Sequence, residues 1–192
     1  MTYARTLFVR PEMLTGLQAR IAKCFRRASS PTGRRNNLAT DTYSSAISVL
    51  NGLIETCKDG EQGFRTSAEK VKDASLKSLF SKYASQRAGY VQELTAAVTQ
   101  LGGDPAKSGH VAGTLHRGWI NLKEAFARDE DRAIVNEAES GEDTAIKAYK
   151  EALGTTLPAN VGTLIQNQYA GVQEAHNTIR DLKHSFQAAA NA

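Results

Sequence analysis

The stretch ISVLNGLIETCKDGEQGFRTSAEKV, residues 47–71, sets the fold class. Its apolar residues Ile47, Leu50, Ile54, Cys57, Phe64, Ala68 and Val71 recur three or four apart, the spacing that lines up one stripe along an α-helix. Glu61 falls on the same stripe, where the seam should be dry. A carboxylate there points into a helix bundle, and an unpaired charge in such a place is costly. It must either bind something or be neutralised by another side chain.

Three more helices follow the same rule. Asp73 is placed to cap a second helix, with Leu76, Phe80, Tyr83, Arg87, Tyr90, Leu94, Ala97 and Leu101 on its seam. Gly102-Gly103-Asp104-Pro105 ends it, with glycines that tolerate a left-handed turn ahead of a helix breaker. A third helix over about 131–153 aligns Val135, Ala138, Glu142, Ala145, Tyr149 and Ala152, and Gly154 and Pro158 mark the turn after it. The last carries Val161, Ile165, Gln168, Val172, Ala175, Ile179, Leu182 and Phe186, with His176 beside the stripe. Between the second and third helices lies a long connection from Ala106 to about Asp131. Within it Val111 to Arg128 reads as a shorter helix with Leu115, Trp119, Leu122 and Phe126 at helical spacing. No run alternates with period two, so no strand is expected. Two short turns and one long connection describe an all-α, ferritin-like four-helix bundle with a long helical crossover between helices 2 and 3.

A chain of 192 residues with 41% hydrophobic residues can bury one core. No apolar run approaches the roughly 20 residues needed to cross a bilayer, so no transmembrane segment is expected. The net charge of +4 is unevenly placed. Residues 1–40 hold eight Arg or Lys against one acid, Glu12, a balance of +7, and the remainder holds 16 basic against 19 acidic residues, a balance of −3. The expected organisation is a basic N-terminal extension, 1–40, and a bundle, 41–192. Pro11 to Arg27 reads as an Arg-rich amphipathic segment, the pattern of a targeting or membrane-surface element. The alternative is an upstream extension without a folded role, since the folded pattern begins just after Leu38. Ser29 to Asn37 reads as a linker. Only Cys24 and Cys57 occur, with no zinc spacing, which points to a reducing compartment.

The polar residues on or beside the seams are Glu61, Arg87, Tyr90, Glu142, Gln173 and His176. In di-iron bundles two helices each give one Glu, and the other two each give Glu-x-x-His. Glu61 and Glu142 suit the single-Glu roles, but Gln173-x-x-His176 has an amide where the carboxylate belongs, and Arg87-x-x-Tyr90 puts a cation and a phenol at the other pair. Two divalent ions need about four carboxylates around them, and Arg87 adds a positive charge that cannot be titrated away. The expectation is a buried Glu61–Arg87–Glu142 network completed by Tyr90, Gln173 and His176, with no cofactor. The alternatives are a degenerate iron or manganese site built by Glu61, Glu142 and His176, and surface-exposed side chains that form no connected group. Glu55, Asp59 and Glu139 read as solvated helix charges, Cys57 as seam packing, and His110, His116, Trp119 and His184 as non-ligands. No phosphate loop and no nucleophile with a placed base is present.

Residues 53–65, the run His116 to Lys123, and Gly141-Glu142-Asp143 together resemble motifs of a bacterial, ferritin-like family of unknown function described as four-helix-bundle proteins. The resemblance spans about residues 42–186. It implies the bundle and a cytoplasmic bacterial setting, brings no activity, and through its ferritin-like kinship points towards metal or oxidative-stress chemistry. Three functions are therefore expected to compete. The first is a non-catalytic, stress-associated binding or assembly module, acting on a protein partner or by self-association. The second is a metalloprotein with redox or peroxide chemistry. The third is a bundle tethered to nucleic acid or anionic lipid through residues 1–40.

Overall fold

The computed structural model describes the backbone of residues 32–106 and 131–190, and the side chains of 41–106 and 131–189. The chain divides into two units, Met1–Leu38 and Ala39–Ala192. Among the described residues there are four helices: α1 Thr32–Lys70, α2 Ala74–Gln100, α3 Asp131–Leu153 and α4 Ala159–Ala190. The described residues contain no strand, and the class is all-α, as periodicity predicts. The first helix starts at Thr32, nine residues before the expected start of the bundle at Asp41 and inside the stretch Ser29–Asn37 expected as a linker. Beyond Pro31 the run to Thr40 holds no proline, and residues such as Arg34, Arg35, Leu38 and Ala39 are good helix formers, so local propensity favours the helix. The expected crossover helix, with His110, His116 and Trp119, lies outside the described residues, as do Cys24 and the amphipathic segment 11–27.

Asp73 caps α2, its Oδ1 accepting from the Ser75 and Leu76 amides at 2.8 and 2.9 Å. Gly102 has φ 76°, the left-handed conformation that stops α2. Its neighbour Gly103 lies so close to Ile47 that a β-carbon there would stand 2.8 Å from Ile47 Cγ2. The chain after α2 then turns back along α1. The Ala106 amide donates to Asn51 Oδ1 at 2.7 Å, and Lys58 Nζ donates to the Ala106 carbonyl at 2.7 Å. At the other end of α1, the amides of Lys72 and Asp73 donate to the two carboxylate oxygens of Asp131, at 2.8 and 2.9 Å. Because α3 begins where α2 begins, α2 and α3 run parallel.

The buried residues fall into two apolar halves. One gathers Leu50, Leu53, Ile54, Leu94, Val98, Val161, Ile165 and Val172 with Cys57 and Tyr149. The other gathers Phe64, Phe80, Tyr83, Ile134, Val135 and Ile179 with several alanines, and Phe64 lies within 6.0 Å of both the Phe80 and the Tyr83 ring centroids. Between the halves the four helices present Gly60, Arg87, Glu142 and the turn from Val172 to Ala175. That layer is polar.

Candidate functional site

The layer is built on one long side chain. Arg87 is 1% exposed and Glu142 2%. Helical periodicity turns both inward: Arg87 follows Phe80, Tyr83 and Ala84 on α2, and Glu142 sits between Ala138 and Ala145 on α3. Arg87 Nη2 donates to both carboxylate oxygens of Glu142, at 2.7 and 2.6 Å. The guanidinium carbon stands 5.9 Å from the Phe64 ring centroid and 5.7 Å from that of Tyr90, close enough for attraction to both π-faces. The Arg87 side chain packs against Gly60 on α1: a β-carbon there would meet Arg87 Cγ, Cδ and Nε at ordinary contact distance, 3.5 Å. Arg87 Nη1 donates to Gln86 Oε1 at 3.2 Å, while buried Nε has no hydrogen-bond acceptor among the described residues.

Burial and charge pull against each other over this contact. Burial alone would lower the pKa of Arg87, but the Glu142 carboxylate outweighs it and holds the guanidinium above its ordinary value. For Glu142 burial is the largest influence and raises the carboxyl above its usual range against the pull of Arg87. Desolvation is thus the largest single influence on each group, outweighed by the pairing at Arg87 but not at Glu142.

The remaining seam residues are placed differently from the expected network. The carboxylate of Glu61 pairs with Arg65, one turn along α1, and its side chain is 24% exposed. Gln173 is exposed. His176 lies on the rim between α3 and α4, with Nε2 2.9 Å from Asp143 Oδ1. Tyr90 joins the layer through its ring, and its hydroxyl reaches α4 so closely that a β-carbon on Gly171 would lie 2.1 Å from it. The structure thus brings together Arg87, Glu142 and the Tyr90 ring, and leaves Glu61, Gln173 and His176 outside.

Two residues expected in solvent are drawn in. Glu55 is buried, with an oxygen that has no hydrogen-bond partner among the described residues, although it lies on the α1 face away from Cys57. Burial, and then Glu55 itself, push the Asp59 carboxyl up. Glu139 is ion-paired with Lys183 across α3 and α4, and its side chain is 13% exposed.

A second polar chain escaped the sequence reading. The Tyr149 hydroxyl donates to Gln168 Oε1 at 2.8 Å, and Gln168 Nε2 donates to Glu93 Oε2 at 2.7 Å. Cys57 Sγ lies 3.2 Å from the same hydroxyl, so this chain touches all four helices. Burial pushes the Tyr149 hydroxyl far up and also raises the Cys57 thiol, with the Tyr149 hydrogen bond pulling the thiol partly back. Both groups are neutral, and a buried neutral thiol is not a nucleophile. The available signal was chemical rather than periodic: Tyr149 and Gln168 sit on otherwise apolar seams, and a buried phenol or amide needs a partner.

The donor set does not fit a metal centre. Both oxygens of Glu142 are engaged by Arg87, Glu61 turns to Arg65, and His176 turns to Asp143. Among the described residues no group of three or more His, Cys, Asp or Glu side chains is arranged to hold an ion. Nor is any described helix long and apolar enough to cross a membrane.

No curated protein matches the chain. A family model described as "Domain of unknown function (DUF2383)" matches residues 45–155, which hold α1 from Ser45 onwards, all of α2 and α3, and the Arg87–Glu142 pair. The chain belongs to this DUF2383 family.

Proposed function

We propose that the chain is a non-catalytic, stress-associated binding or assembly module, and that its buried ion pair fixes the register of the helices. The observation that carries this reading is the double contact of Arg87 Nη2 with Glu142 in a layer between two apolar halves. Sliding α2 past α3 by one turn, about 5.4 Å, would separate the two charges and leave each buried without a partner. Aliphatic and aromatic contacts can be remade after such a slip; this contact cannot. Buried polar groups are best attested in this register-setting role. The bacterial, cytoplasmic and stress-associated setting rests on the resemblance to ferritin-like bundles, with which the parallel α2 and α3 agree. Partners are a second copy or another protein. The +7 charge of residues 1–40 would add a salt-sensitive contact to nucleic acid or anionic lipid.

The competing reading is an iron- or manganese-binding protein with Glu61, Glu142 and His176 as ligands. Elemental analysis of tag-free protein from iron- and manganese-supplemented medium separates the two, with His176→Ala alongside. The proposal expects no stoichiometric metal in either protein. Near-stoichiometric metal that disappears in His176→Ala would overturn it.

A further inference from the structure

We infer that the centre of the bundle is a cation-holding cradle filled by the protein's own guanidinium, with a chemistry that selects a planar organic cation over a divalent metal. The inference rests on the register reading above and adds a ligand class to that site. The cradle has one carboxylate, Glu142, whose two oxygens close on a single nitrogen at 2.6 and 2.7 Å. Two aromatic rings, Phe64 and Tyr90, lie within 6 Å of the guanidinium carbon. Gly60 lines the path of the side chain on α1, where a β-carbon would stand 3.5 Å from Arg87 Cγ, Cδ and Nε.

Each feature argues for the same class of cation. A divalent metal of the iron or manganese kind requires several carboxylate or imidazole donors, and among the described residues no group of three or more such side chains is arranged to hold one. Aromatic faces give such an ion nothing to coordinate. They attract a diffuse, weakly hydrated organic cation, for which guanidinium is the best example among side chains. At 1–2% exposure of the charged pair, such a cation is held out of water by the two apolar halves. The covalent tether keeps it there, so the intact protein presents no free site.

Removing the tether exposes the selectivity. Arg87→Ala leaves Glu142, Phe64, Tyr90 and Gly60 in place, and thermal unfolding is followed with about 10 mM ethylguanidinium chloride or with MnCl2 at the same concentration. The expected result is a rise of about 2–5 °C with ethylguanidinium, no rise with MnCl2, and no rise in the wild type or in Arg87→Ala/Glu142→Gln. If Arg87→Ala is unfolded by itself, the readout becomes the helical circular-dichroism signal regained on adding ethylguanidinium. Three results overturn the inference: no response of Arg87→Ala in either readout, an equal response in the double variant, or a response to MnCl2 matching or exceeding that to ethylguanidinium. The functional reading is tested by the metal content of intact protein, whereas this inference is tested only in variants without Arg87, so the two can fail separately.

Discussion

Among the described residues two ion pairs join α2 to α3 and α4, and they are opposites in everything but formal charge. Arg87–Glu142 is 1–2% exposed, with one nitrogen chelated by two oxygens. Lys82–Glu174, five residues earlier on α2, spans 3.4 Å with side chains 60 and 64% exposed. In water a charge that loses its partner is resolvated; in the core it is not. The exposed pair is therefore dispensable, whereas the members of the buried pair depend on each other although the pair as a whole adds little stability.

The sharpest break in this comparison is Arg87→Met, which strands Glu142. It is expected to lower stability by about 3–5 kcal/mol in urea unfolding, as removal of one member of a buried pair does. A smaller loss, about 1–3 kcal/mol, is expected for Tyr149→Phe, which takes the donor from Gln168 and the contact from Cys57. Gly171→Ala should come next, at about 1–2 kcal/mol, because its β-carbon would fall on the Tyr90 hydroxyl. Adding Tyr90→Phe removes the overlapping oxygen and should restore most of that loss, measured as a double-mutant cycle.

The pH dependence tests which side of the buried pair dominates. Burial sets the folded pKa of Glu142 above its ordinary value of 4.5. A group raised on folding contributes stability that is complete below the unfolded value and lost as pH rises through the folded one. The stability of the wild type relative to Glu142→Gln should therefore increase as pH falls from neutrality towards about 4.5 and level off below it. The opposite slope would mean that Arg87, not desolvation, controls the carboxylate. The smallest effect is at the exposed pair, where Lys82→Ala should change stability by less than about 0.5 kcal/mol.

The bundle was legible because four stripes at helical spacing have no other economical use, and both members of the buried pair sit centrally on their stripes. Glu61 shows where periodicity loses resolution. It lies at the edge of the α1 stripe, and Arg65 one turn on gives it a local partner that seam spacing does not reveal. Gln173 follows a buried residue by one position and so turns outward, while His176, just after Ala175, reaches only the rim. The converse case is Tyr149 and Gln168, which join apolar seams without interrupting their spacing. Glu93 completes that chain from another helix across 75 positions of sequence, a distance over which helical periodicity carries no information.

The central claim is mutual dependence within the buried pair, and one measurement addresses it most directly: urea unfolding of the wild type, Arg87→Met, Glu142→Leu and the double variant at neutral pH. The account predicts that each single change costs several kcal/mol while the double variant returns to within about 1 kcal/mol of the wild type or exceeds it. Losses that simply add in the double variant would show that the two side chains act independently, and would contradict it.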